Sequence, residues 1–432
     1  MVRPRLPSSA SLRPHLPEPV LRVLRALGLP AAEVARYWAR EAASIRASSS
    51  ALVVGLAATL IAGTVLGGAN EALAANPGLL VLIPAAIGMR GSIFGALAAR
   101  LGTGILTGEM GPETTRDSFL GRQVRAATLL TVSTAAEAGA LAWAASVVVG
   151  RPVMPLLDLV AVSVVGGLLA SAVLLAVTVV VARQSRVRGW SMDDVGAPVI
   201  TATGDLVTLP ALLLATLLVP IGWVPAAIGA VGLVAAVVAA VLGVRDGDDM
   251  VRRIVRESLV VLSVAVSLQV VAGIVMDARL DTLLSNPALL VLIPPFAAAC
   301  GSLGGMLSSR LASKLHVGLL APRTWPSALA GLDISLTFLL ALGAFVGVGG
   351  VGWLAATLAG LSPPSALSLV ATSLLGGLFA TMVVAVVAYA AAVATFRFGL
   401  DPDNHGIPIV TACMDLFGIL CLVGAISLMG VG

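Results

Sequence analysis

Asn76-Pro-Gly-Leu-Leu-Val-Leu-Ile-Pro84 returns as Asn286-Pro-Ala-Leu-Leu-Val-Leu-Ile-Pro294. The copies stand 210 residues apart, and the same offset carries Pro198-Val-Ile-Thr201-Ala-Thr-Gly-Asp205 onto Pro408-Ile-Val-Thr411-Ala-Cys-Met-Asp415. An offset that does not drift across this much apolar sequence marks a duplicated unit. Each copy of the second motif ends in a carboxylate about ten residues into an apolar run. Two equivalent Asp residues in two equivalent helices point to one shared cation site on a pseudo-twofold axis.

Composition sets the surroundings. The chain is 58% hydrophobic and 11% charged, with a mean hydropathy of +1.04. Soluble domains carry about 25% charged residues, so this is an integral membrane protein. The net charge is +4 and the pI about 9.5. The basic residues are Arg except for Lys314 and are scattered between apolar runs, whereas a nucleic-acid footprint is a contiguous basic face. Cys300, Cys413 and Cys421 are too few for a disulfide framework and lack metal-ligand spacing, so they read as small helix residues. The first 48 residues carry eight Arg, and the first long apolar run begins only near Ser50, so no cleavable leader is expected.

A span needs about 20 mostly apolar residues. Eleven are expected, near 50–73, 77–99, 125–149, 155–182, 196–219, 221–243, 258–280, 287–309, 327–350, 364–396 and 407–430. Arg and Lys concentrate in the amino-terminal segment and in alternate loops, which predicts a cytoplasmic amino terminus and an extracellular carboxyl terminus in the cell membrane. Five spans per copy would leave the second copy inverted. The extra span at 221–243 has no counterpart and returns the chain to its starting side, so the two repeats are parallel. The expected fold is therefore an all-α integral membrane protein, with about eleven transmembrane helices as two parallel five-helix repeats joined by a linker helix. The divisions are a cytoplasmic segment 1–48, a first repeat 49–219, a linker helix and loop 220–257, and a second repeat 258–432. Such a chain is a fused dimer, expected to work as a monomer, with its interface where the two Asp helices face each other.

Ionisable residues at bilayer depth cost about 2.5–3.5 kcal/mol on insertion scales and mark pathways. Asp205 and Asp415 lead the candidates. Thr201 and Thr411 sit four residues earlier on the same helix faces. Asp193 and Asp194, and in the second copy Asp401 and Asp403, stand at the mouth, where anionic charge concentrates cations. The Pro/Gly-interrupted spans add hydroxyls at Ser92 and Ser302. Unpaired carbonyls are tolerated there only against protein or water. An oxygen-only set suits a hard divalent cation, and magnesium would be held by two carboxylates through retained water. Glu71 and Asp281 form a further matched pair near the outer ends of spans one and seven, a candidate vestibule. Gly166-Gly167 and Gly376-Gly377 read as close helix contacts.

At these residues the chain resembles the MgtE-type magnesium transporter family, in particular its two-repeat branch, which includes eukaryotic solute carriers. The carrying motifs are Pro84…Gly88-Met-Arg90-Gly91-Ser92 with Ala98-Ala-Arg100-Leu101, Gly301-Ser302 with Ser308-Ser-Arg310-Leu311, and the two Asp helix motifs. The resemblance implies magnesium as the transported substrate, Asp205 and Asp415 as central ligands, and a pathway between spans two, five, eight and eleven. Some relatives are gated channels, whereas the two-repeat branch exchanges magnesium for sodium, so channel and sodium-coupled exchanger both stay open. It implies no cofactor and no catalysis. The chain departs from the family in having Gly-Ser twice where Gly-Asn is usual, and Met414 against Gly204. The segments 1–48 and 244–257 are too short for the large magnesium-sensing domains of bacterial relatives, so that form of gating is expected to be absent. Arg90, whose counterpart is Cys300, is expected to compete with the ion for Asp205 or to pair locally. The alternative reading of two intramembrane Asp residues is a presenilin-like intramembrane aspartyl protease. Its signature fails here, with Ala at 202 and Met414 before Asp415.

Overall fold

The computed structural model describes residues 31–188 except 112 and 114, 197–400, and 406–431. The helices in chain order are α1 (Ala31–Arg40), α2 (Ala42–Gly67), α3 (Asn70–Ala75), α4 (Leu79–Leu106), α5 (Phe119–Val149), α6 (Leu156–Arg188), α7 (Ala197–Thr216), α8 (Val224–Val244), α9 (Asp249–Asp277), α10 (Leu280–Ser285), α11 (Ala288–His316), α12 (Ala328–Leu358), α13 (Ala366–Phe398) and α14 (Ile407–Met429). Among the described residues ten helices are long and apolar enough to cross a membrane, and α7 contributes the shorter apolar stretch Ala202–Thr216. Ten of the expected spans are thus met by length and composition, α7 stands at the position of the remaining one, and the chain is a multi-pass membrane protein. The helices run further into polar sequence than hydropathy implies. Helix α9 begins at Asp249 because Asp248 caps it, its side chain accepting from the Met250 and Val251 N–H groups.

The offset seen in the sequence recurs in the helices. Shifting α3 and α6 by 210 lands on α10 and α13 residue for residue. The repeated Asn-Pro ends a helix in both copies. Asn76 and Asn286 terminate the short helices α3 and α10 with matching backbone angles, φ −124° and −132°, ψ 77° in both. The following Pro cannot continue a helix. One mismatch is explained by conformation. Gly78 takes φ +90°, so α4 starts at Leu79, whereas its counterpart Ala288 is already helical.

The two halves are held together by exchanged helices. Helix α2, the first of the first repeat, packs on α11 and α12 of the second, while α9 packs on α4 and α5 of the first. The closest approaches match under the offset. A Cβ at Gly63 of α2 would stand 2.2 Å from the Val291 carbonyl oxygen, and one at Gly273 of α9 would stand 2.1 Å from that of Val81. Glycine here allows backbone to touch backbone. The expectation that the halves meet at the Asp helices therefore omits their broadest joins. Helix α8 lies across α5 and α6, with Gly229 against the Leu157 carbonyl and Gly232 against Val164. It presents Val231, Val234 and Val237 outward, as a lipid-facing helix does.

Polar clasps close the two faces unequally. On the arginine-rich face, α1 docks on the second repeat. The Tyr37 hydroxyl donates to Asp333 Oδ1 at 2.6 Å, and Lys314 Nζ donates to Asp333 Oδ2 at 2.6 Å and to the Tyr37 oxygen at 3.1 Å. Burial, reinforced by the bond to Asp333, pushes the Tyr37 phenol above its ordinary range and keeps it a donor. In the first repeat Asp246 and Asp248 serve instead, pairing with Arg125 at 2.5 Å and Arg122 at 3.4 Å. On the opposite face Arg151 Nε meets the buried Asp277 Oδ2 at 2.7 Å, whereas the offset puts Leu361 against Gly67. Replacing the half-exposed Arg151 by Leu leaves Asp277 charged and unpaired, so Arg151→Leu should cost about 1–2 kcal/mol, read by thermal unfolding in detergent.

Candidate functional site

The Asp helices α7 and α14 each pack against the Pro-interrupted helix of their own repeat, α4 and α11, and against the exchanged helix that opens that repeat, α2 for α7 and α9 for α14. A helix that starts just before an early Pro loses least from the missing N–H. That placement sets Asp205 and Asp415 part-way along α7 and α14, both half-buried. Their carboxylates lie within electrostatic reach of one another. Two anions this close inside an apolar bundle repel, and a bound cation relieves that repulsion.

A third residue joins them that the sequence did not single out. Gln269 of α9, 1% exposed, donates from Nε2 to Asp415 Oδ2 at 2.8 Å. Its amide oxygen Oε1 is buried without a partner, a neutral oxygen beside the carboxylate. Gln269 reaches Asp415 past Gly88 of α4, where an added Cβ would fall 1.7 Å from Nε2. The offset gives Thr59 as its counterpart, which bonds instead to the Gly55 carbonyl at 2.9 Å. The carboxamide is thus a feature of one Asp only. The signal for it in the chain is a Gln in the middle of an apolar span, together with a Gly inside a repeated motif. Gly88→Ala should displace Gln269 and lower cation flux about tenfold, the scale of one buried hydrogen bond. Gly91→Ala, which meets nothing within 4 Å, should leave flux unchanged.

The other expected ligands are placed unevenly. Ser92 lines a cleft with Arg100, Ser258 and Pro408, so it stands near the start of α14. Ser302 is exposed. Thr411 packs by its methyl group on Gly301, 3.1 Å from where a Cβ would be. The side chain of Thr201 and residues Asp193, Asp194, Asp401 and Asp403 lie outside the described residues. Glu71 and Asp281 are exposed on α3 and α10. Among the described residues no three acidic, His or Cys side chains converge. Arg90 is 1% exposed and donates to the Ala86 carbonyl of its own helix. Its guanidinium turns toward Gly167 of α6 and forms no ion pair among the described residues.

The family model for MgtE, a divalent cation transporter, matches residues 83–215 and again residues 293–425. The chain belongs to the MgtE family. The two matched stretches start 210 residues apart and each contains one of the two Asp helices. Among curated proteins the chain is similar to solute carrier family 41 member 3 of Rattus norvegicus, 23% identical over 365 residues that cover 79% of this chain and 77% of that one. The protein of the same name from Mus musculus is 23% identical over 365 residues, covering 79% of this chain and 73% of the relative. No solved structure matches it. Family membership sets the chain among divalent cation transporters.

Proposed function

We propose that this MgtE-family protein moves Mg2+ across the cell membrane through a pathway between its two repeats, lined by α4, α7, α11 and α14, with Asp205 and Asp415 as the central ligands. The observation that carries this reading is the pair of half-buried carboxylates at equivalent positions of two equivalent helices, one of them held by Gln269 at 2.8 Å. Magnesium sheds water reluctantly. Two carboxylates with neutral oxygens from Gln269, Thr411 and Ser92 suit an ion that keeps part of its shell. Thr201, Ser302, Asp193 and Asp403 complete the proposed path, the last two as an anionic mouth. The arginine-rich face that carries α1 is the cytoplasmic one. Sodium moving inward is the proposed driving ion. The single chain supplies both halves of the site and acts as a monomer.

The test is Mg2+ entry into liposomes containing the purified protein, followed by a trapped dye, with and without an opposing sodium gradient. Flux above that of empty liposomes, accelerated by the gradient, is expected. Absence of Mg2+ flux in both conditions would overturn the assignment. Equal flux in both would remove sodium from it.

A further inference from the structure

Four helices of the first repeat carry buried polar groups that have no partner among the described residues. They are Arg90 Nε and Nη2 on α4, Thr131 Oγ1 on α5, Ser171 Oγ on α6 and Thr208 Oγ1 on α7. All four residues are 6% exposed or less. The Arg90 Nη2 lies beside Gly167, 2.9 Å from where a Cβ would be, and the same point is 3.1 Å from the Ala135 Cβ. One turn outward along α5, Gly139 packs on Ser163 at 3.1 Å. These two contacts fix the antiparallel register of α5 and α6. The next facing pair, one turn or about 5.4 Å the other way, is Thr131 with Ser171. Thr208 follows from the repeat: its counterpart Gly418 abuts Cys300, 3.0 Å from Sγ, and Cys300 is the counterpart of Arg90.

The second repeat shows what this place looks like without a cation. Cys300, Ala341, Thr381 and Gly418 occupy the four positions. Thr381 satisfies itself on the Gly377 carbonyl at 2.6 Å. The Phe345 ring stands in front of Gly377 and packs on Phe296 with centroids 4.8 Å apart. Apolar groups close one half. In the other half Ala135 replaces Phe345, and Arg90 fills part of the space with a charge.

We propose that the first repeat holds a monovalent inorganic anion, of the size and charge of chloride, bound by the Arg90 guanidinium and the hydroxyls of Thr131, Ser171 and Thr208. A guanidinium stays protonated and has no acceptor, and three hydroxyls can all turn their protons inward. A guanidinium and three hydroxyls that can all turn donors toward one point suit an anion. An unpaired buried charge is costly, and one counter-charge removes that cost. The small residues Ala135 and Gly167 admit the Arg90 guanidinium between α5 and α6, where Phe345 stands in the other half. The bound anion would also cancel the field of Arg90 at the neighbouring α7, where Asp205 receives its cation. The inference stands apart from the transport reading, because its test measures binding.

The purified full-length protein is unfolded thermally in detergent while sodium gluconate is replaced by sodium chloride or bromide at constant ionic strength, without Mg2+. Saturable stabilisation by both halides is expected. Ser171→Ala and Thr131→Val should each raise the half-saturating halide concentration about tenfold, one hydrogen bond's share. Arg90→Met, which keeps the side-chain length, should abolish the halide response. Equal unfolding in gluconate and chloride would overturn the proposal, as would an undiminished halide response in Arg90→Met. If Arg90→Met does not fold, Ser171→Ala and Thr131→Val decide, and unchanged half-saturation in both would equally overturn it.

Discussion

Asp205→Asn/Asp415→Asn should lower Mg2+ flux at least ~100-fold while leaving the protein folded and no less stable than the wild type. A 100-fold loss corresponds to about 2.8 kcal/mol, the scale of one charge-assisted interaction, and here two are removed. The opposite sign for stability follows from the same geometry. Two carboxylates within electrostatic reach, held among apolar helices, destabilise the empty fold by repulsion and by lost hydration. Asparagine keeps the shape and removes both penalties. The bond from Gln269 survives, because an Asn oxygen accepts from Nε2 as Asp415 does. Thermal unfolding and liposome flux on the same preparations check the two halves of the prediction. A double variant that transports normally would remove the carboxylates from the mechanism. One that loses flux only because it unfolds would remove their role as ligands. Sites that bind tightly charged cargo are expected to trade stability for function in this way.

Much of this architecture was readable from the chain. The repeat offset, the membrane helices and the unmatched α8 all come from periodicity and hydropathy, which survive because the bilayer imposes length and apolarity on every spanning helix. The two Asp residues stood out in the chain because charge is rare at that depth. The exchange of α2 and α9 between halves was not. It depends on which face of an almost uniformly apolar helix carries the closest contact, and in lipid both faces are apolar. Gly63 and Gly273 mark its closest backbone contacts, and they do so among many other glycines. Gln269 was hidden for a related reason: its partner lies 146 positions away and its path runs through a bare glycine, a relation that becomes visible only once α4, α9 and α14 are packed. Arg90 was legible as an asymmetry, but its surroundings were not. Thr131, Ser171 and Thr208 are unremarkable singly and become a group only through the register of α5 on α6.

The exchanged helices carry the other large expected effect. Gly63→Val and Gly273→Val should each destabilise the protein by about 3 kcal/mol or more, enough to prevent recovery of a monodisperse species. The obstacle in each case is a backbone oxygen, at 2.2 Å from the Gly63 position and 2.1 Å from the Gly273 position, and backbone cannot rotate away as a side chain can. Whole helices would have to separate. The two sites are equivalent under the repeat, so the stability losses should be similar. Gly55 on α2 meets nothing within 4 Å, and Gly55→Ala should be neutral or stabilising by up to about 1 kcal/mol. The milder pair Gly63→Ala and Gly273→Ala separates packing from function. Gly273 seats the helix that carries Gln269 to Asp415, whereas Gly63 seats the helix that carries Thr59, which bonds only to its own backbone. Gly273→Ala should therefore depress Mg2+ flux more than Gly63→Ala at equal loss of thermal stability. Equal flux losses would mean that Gln269 contributes nothing beyond packing, and that the two halves remain functionally equivalent despite their different residues.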